Sequence, residues 1–339
     1  MENKRLGRQT LAFAASPGIL SYASVVGKKE GEGPLGDQFD QICPDTRMGQ
    51  KSWELAESAF QKTAMQLALR KAGLPGEACD FVLAGDLLNQ CISTAFAVRD
   101  SHIPFFGLYG ACSTMAESML LGACLIDGGF GAHVLAGASS HFCSAERQYR
   151  FPLSYGGQRT PTAQWTATAA GSVLLSAESA CKVRITHGCC GKIVDLGVKD
   201  AANMGAAMAP AAYDTLSALW QDTGTQPSDY DLIVTGDLGQ VGSEILPELF
   251  ARDGIHLTGY ADCGRMLFET AQDTHAGASG CGCSAAVLCG PILRQMEAGK
   301  LRKVIFAATG ALMSPTSVQQ GQSIAGICHA LILQTGGNS

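Results

Sequence analysis

The chain has 339 residues and a net charge of −6, with 24 Lys and Arg against 30 Asp and Glu. The basic residues are scattered rather than clustered, which excludes a nucleic-acid surface. Only 16% of residues are charged while 41 are glycine, the composition of a compact, oligomeric α/β protein with much buried surface and many tight turns.

Basic residues precede Leu11-Ala12-Phe13-Ala14-Ala15, but Ser16-Pro17-Gly18 ends that run before it reaches the length of a secretory h-region, so it reads as a first strand. No uninterrupted apolar stretch approaches the roughly eighteen residues of a membrane span. From about Ser52 to Gly73, apolar side chains at Trp53, Leu55, Ala56, Ala59, Phe60, Ala64, Leu67 and Leu69 follow a helical period between a Ser cap and a terminating Gly. Phe81-Val82-Leu83-Ala84 reads as a buried strand, followed by a helix toward Arg99. Strands at 105–109 and 133–137 enclose a helix from about Ser113 to Ile126. This alternation predicts parallel strands in a sheet covered by helices.

The second half echoes the first. Cys79 to Leu87 matches Tyr230 to Leu238, Gly110 to Thr114 can be laid over Gly280 to Ser284, and His133 to Ala136 over Lys303 to Phe306. A duplicated α/β unit follows, with halves at 1–182 and 183–339. The stretch from Ser154 to Gln164, rich in Gly, Pro, Gln and Thr, reads as loop.

The fourteen cysteines include no C-x-x-C pair, so most read as small buried side chains of a reducing compartment. Cys112 differs, because it stands immediately after a strand and immediately before a helix. Backbone N–H groups and the helix dipole converge at such a place, which predicts an acidified, ligand-accessible thiol. The competing reading is one more buried cysteine.

The duplicated halves and the segment Gly107-Leu108-Tyr109-Gly110-Ala111-Cys112-Ser113-Thr114 resemble the thiolase superfamily, in particular its ketoacyl synthase III branch. That resemblance implies a thiolase-like α/β fold of two pseudo-repeat halves in five layers, α-β-α-β-α, and a homodimer. It puts Cys112 at the nucleophile position, with partners from the second half. The family histidine would follow 231–235, but Gly236-Asp237-Leu238 stands there. A carboxylate would repel a thioester oxyanion. His275, before Ala276-Gly277-Ala278-Ser279-Gly280, resembles the last site segment and is expected to face Cys112; the other reading is a structural histidine.

Within that superfamily, Gly7-Arg8-Gln9-Thr10, Asp45 to Glu54, Ala84 to Gln90, Tyr155 to Thr166 and Gly310 to Thr316 are similar to the stage V sporulation protein AD family. This likeness implies a spore protein that binds dipicolinic acid (pyridine-2,6-dicarboxylate), alone or with calcium, without catalysis or cofactor. It also implies integral-membrane partners of the SpoVA type and a peripheral place at the inner spore membrane. A planar dicarboxylate would find helix-start N–H groups after Cys112, a cation in His275, hydroxyls in Thr114 and Ser314, and a soft apolar face in Met313. Arg159, Arg150 and Arg265 are candidate carboxylate clamps or ordinary surface arginines. Asp86 and Asp237, at equivalent strand ends, are helix caps or calcium ligands. The alternative is a condensing or acyl-transfer enzyme with Cys112 as acyl carrier and His275 as acid/base.

Overall fold

The computed structural model describes residues 4–149 and 159–336. Ten strands carry the architecture. The first half contributes β1 (Gly18–Gly27), β2 (Phe81–Gly85), β3 (Phe105–Gly107), β4 (His133–Ser140) and β5 (Ala169–Ser176). The second contributes β6 (Val183–Cys189), β7 (Leu232–Thr235), β8 (Tyr260–Asp262), β9 (Lys303–Leu312) and β10 (Ala325–Thr335). Their spatial order is β8-β7-β9-β10-β6-β1-β5-β4-β2-β3. Numbered within its own half, each set therefore runs 3-2-4-5-1, and the two first strands meet antiparallel with Val183 opposite Ile19.

The sheet is mixed rather than wholly parallel. β2 runs parallel to β3 and β4, as β7 does to β8 and β9, but β5 and β10 are antiparallel to β4 and β9. β10 returns from β9 through 313–324, which carries the short helix Pro315–Gln319 and brings the chain back antiparallel beside β9. The strand expected at 11–15 is only Thr10–Ala12, and the principal first strand is β1.

Helices form where the pattern and caps dictate. α1 (Trp53–Ala72) starts at Ser52, whose hydroxyl accepts from the Leu55 N–H at 3.3 Å, and stops at Gly73, whose φ of 68° is the left-handed conformation glycine adopts freely. α2 (Thr114–Asp127) links β3 to β4. α3 (Met204–Thr223) and α4 (Gly239–Arg252) cover the outside of the second half, where α3 packs on β9 and β10. α1 covers β1, β4 and β5 of the first.

Between the two sheet halves lie α2 and α5 (Cys281–Val287). Every residue of α5 is buried, because a central layer has no solvent face to make amphipathic. The five-layered thiolase-like arrangement follows: α1, first sheet half, α2 with α5, second sheet half, α3 with α4.

The central layer is packed to backbone contact. A Cβ on Gly282 would lie 2.3 Å from the Ala169 carbonyl oxygen and 2.7 Å from the Ser140 nitrogen. Neither atom can retreat without moving β4 or β5. Gly282→Ala should therefore lower unfolding stability by about 1–3 kcal/mol, read by urea denaturation; a wild-type midpoint would mean that the layers are looser than these distances.

Candidate functional site

The chain's Cys112 turn is built by its own short side chains. Ala111–Ser113 form a single tight turn between β3 and α2, with Ala111 in the left-handed region at φ 51°. The Ser113 hydroxyl donates to the Gly110 carbonyl and the Thr114 hydroxyl to the Ala111 carbonyl, both at 2.7 Å. The Thr114 oxygen also accepts from the Gly110 N–H at 3.1 Å. Thr114, expected as a ligand hydroxyl, is wholly buried and committed to the turn.

The turn presents Cys112 to a cavity of about 260 Å³, close to the lower end of the roughly 300–1,000 Å³ typical of small-molecule sites. Arg159 and Met313 line it, together with Tyr109, Tyr149, Glu146 and Gln164. The Tyr109 and Tyr149 hydroxyls lie 2.9 Å apart, and Tyr149 donates to the Leu87 carbonyl at 2.5 Å. Arg159 donates to the Gln164 carbonyl, and its guanidinium lies over the Trp165 ring at 4.8 Å. Trp165 in turn stacks on Phe142 at 3.8 Å between centroids. A guanidinium so held is pre-oriented toward whatever occupies the cavity.

Behind Cys112 stands Asp237, just beyond the end of β7. It is fully buried, and burial pushes its pKa up to about 7. Its carboxylate accepts from the Gly280 N–H at 2.8 Å and from the Thr309 hydroxyl at 3.0 Å, and its charge acts on the neighbouring Cys112 thiol. The helix-start acidification expected for Cys112 is not found. Burial, and then the adjacent Asp237 carboxylate, push its thiol well above the usual cysteine range. A thiolate here would be a second buried anion beside the first.

His275 does not face Cys112. Its ring Nδ1–H donates to the Thr160 carbonyl at 2.7 Å, and Nε2 lies 3.4 Å from Asp273. No histidine lines the cavity among the described residues.

The remaining candidates are elsewhere. Ser314 caps the short helix Pro315–Gln319 by accepting from the Ser317 N–H at 3.1 Å. Asp86 accepts from the Leu88 N–H, the Thr94 N–H and the Thr94 hydroxyl at 2.6–2.8 Å, which makes it a cap. Of the two readings for Asp86 and Asp237, calcium ligation is not the one their surroundings favour. Among the described residues no group of three His, Cys, Asp or Glu side chains converges on a metal position. Arg265 is exposed, and Arg150 lies outside the described residues. Tyr149 carried no recognisable motif; Gln164 and Trp165 lay in the family-like segment Tyr155 to Thr166 and Tyr109 three residues from Cys112, but none was singled out as a site residue.

The buried acids give stability a pH dependence. Asp237 and Glu30 are raised to about 7 and Asp262 to about 6, from ordinary values of 3.8, 4.5 and 3.8, all by burial. In that window the folded state holds more protons than the unfolded one, so these groups make stability fall as pH rises toward 7. Buried His329, lowered to about 4 by burial, opposes them below its ordinary 6.5. The buried thiols raised by burial, such as Cys189 and Cys328, extend the fall above about pH 8.5. The melting temperature should thus drop between about pH 6.5 and 9, measured by calorimetry; a rise across that range would refute the assignment.

Comparison with known proteins agrees with this architecture. The chain resembles 3-oxoacyl-[acyl-carrier-protein] synthase III from Aquifex aeolicus VF5, with TM-score 0.55 and 13% identity over 94% of this chain and 99% of that one. It resembles human mitochondrial 3-ketoacyl-CoA thiolase at TM-score 0.58 and 12% identity, over 96% and 99%. Xanthomonas campestris OleA matches at TM-score 0.59 and 14% identity, over 98% and 100%. At such identities the likeness establishes the thiolase-like fold. The stage V sporulation protein AD of Bacillus subtilis (strain 168) is 42% identical over 337 residues, 99% of both chains. The family model for stage V sporulation protein AD matches residues 7–334, and the chain belongs to that sporulation family.

Proposed function

We propose that this chain is a non-catalytic binding protein for dipicolinic acid, alone or as its calcium chelate, acting in uptake of that acid into developing spores. The observation that carries the reading is the exchange of a catalytic partner for Asp237 behind Cys112. A neutral thiol backed by a carboxyl group is a poor nucleophile, whereas Arg159 on its Trp165 platform suits a carboxylate. Met313 and Tyr109 offer apolar area for a planar ring, and the small cavity suits a compact ligand better than a long acyl chain.

Calcium, where it accompanies the ligand, is held by the ligand's own carboxylates and ring nitrogen, since Asp86 and Asp237 are occupied by hydrogen-bond donors. The protein works as a homodimer at the inner spore membrane through integral-membrane partners of the SpoVA type. Among the described residues no helix is long and apolar enough to cross a membrane.

Isothermal titration with dipicolinate, with and without calcium, should give saturable heat near one ligand per chain. Its absence would sink the reading. The fold likeness to 3-oxoacyl-[acyl-carrier-protein] synthase III and the place of Cys112 support a second reading, acyl transfer. Incubation with a short acyl-CoA and intact mass measurement tests it, and an adduct that disappears in Cys112→Ala would favour the enzyme.

A further inference from the structure

We infer that the cavity takes up a proton together with its anionic ligand, and that Asp237 is the seat of that proton. This rests on the dipicolinate reading above, and concerns how the same site is regulated. An anion seated against Cys112 brings negative charge to a place that already has a carboxyl group behind it.

Among the described residues, the groups packed against Asp237 include no cation to offset that charge. From the Cys112 turn it meets the thiol; from β9, the Thr309 hydroxyl; from the segment leading into α5, the Gly280 N–H, with Cys281 and Cys283 behind. From the end of β8 it meets Asp262 and Cys263. Each of these groups is neutral or acidic. Asp262 is itself engaged, accepting from the Thr235 hydroxyl and from the N–H groups of Leu238, Gly239 and Arg265. Arg159, the cation of the cavity wall, bonds the Gln164 carbonyl, while the Gln164 amide donates to the Asp237 backbone carbonyl at 2.8 Å.

Two like charges sharing a buried site raise each other's affinity for protons. By linkage the effect is reciprocal: an anion that favours protonated Asp237 binds more tightly when Asp237 is protonated. The proton comes from solvent and goes to the Asp237 carboxylate, and no bond other than O–H is formed. Glu146, Tyr109 and Tyr149 also line the cavity; burial pushes the two tyrosines up, so they stay protonated throughout, and Glu146 is the competing seat.

The test is calorimetric titration of the full chain with dipicolinate near pH 7.5 in phosphate and in Tris, whose ionisation heats differ. The ligand's carboxyl groups are already ionised there, so a buffer-dependent heat counts protons taken up by the protein. Expected are uptake of roughly half a proton or more per ligand and a Kd that weakens by up to about tenfold per pH unit above neutrality. Uptake should vanish in Asp237→Asn. Equal heats in both buffers, or unchanged uptake in Asp237→Asn, would overturn the coupling while leaving binding intact. Should Asp237→Asn fail to fold, Glu146→Gln decides: persistent uptake supports Asp237, lost uptake overturns it. No binding in either buffer overturns both the coupling and the dipicolinate reading.

Discussion

Arg159→Met is expected to weaken dipicolinate binding roughly 10- to 100-fold, the 1.5–3 kcal/mol carried by a hydrogen bond to a charged group. Methionine keeps much of the length and apolar stem of arginine, so the cavity retains its shape and only the charged fork is lost. Trp165 keeps its stack on Phe142 in the variant, and Gln164 keeps its two donations to the carbonyls of Asp237 and Ala278 at 2.8 and 2.7 Å. Melting temperature should therefore move little while affinity collapses. Titration calorimetry on the variant reads this directly. Wild-type affinity would mean that the carboxylates are met by another group, and a large fall in melting temperature would make Arg159 a structural residue.

Asp262→Ala should cost roughly 4 kcal/mol or more of unfolding stability, the largest effect expected of any single change here. Its carboxylate gathers the Thr235 hydroxyl at 2.7 Å and three backbone N–H groups, of Leu238, Gly239 and Arg265, at 2.9–3.2 Å. Alanine would leave those three amides without their acceptor, Leu238 and Gly239 at the junction of β7 and α4 and Arg265 in the short helix Cys263–Met266, and each orphaned amide costs about 1–3 kcal/mol. Asp262→Asn keeps one acceptor oxygen but places an NH2 against donors, so it should be intermediate. Urea unfolding of the two variants gives the order; a loss below about 1 kcal/mol in the alanine variant would show that water replaces the carboxylate.

Much of the fold was legible because its signals are local. Ser52 and Gly73 bracket α1 as read, and the match of 79–87 to 230–238 falls on β2 and β7, which occupy the same place in their halves. β1 escaped because Ser21 and Ser24 interrupt its apolar run. Inside the fold the Ser21 hydroxyl donates to the Ala68 carbonyl at 2.7 Å, and the Ser24 N–H donates to Asp40 at 2.9 Å, so polar residues sit in a buried strand with partners no local pattern reveals. The site divides in the same way. Cys112 could be placed from its strand-to-helix position, but its acidity depends on Asp237, 125 residues later in the chain, and on burial that only the assembled layers impose. His275 failed for a related reason: its segment lies where expected, but its φ of 53° and the Thr160 carbonyl take the imidazole away from the sulfur.

A crystal structure of the full chain grown with dipicolinate puts the binding reading to its most direct test. Expected is a planar ring in the cavity beside Cys112 and Met313, one carboxylate on the Arg159 guanidinium, and an unmodified Cys112 sulfur. A ring bound elsewhere on the chain, or an acyl group joined to that sulfur, would contradict it.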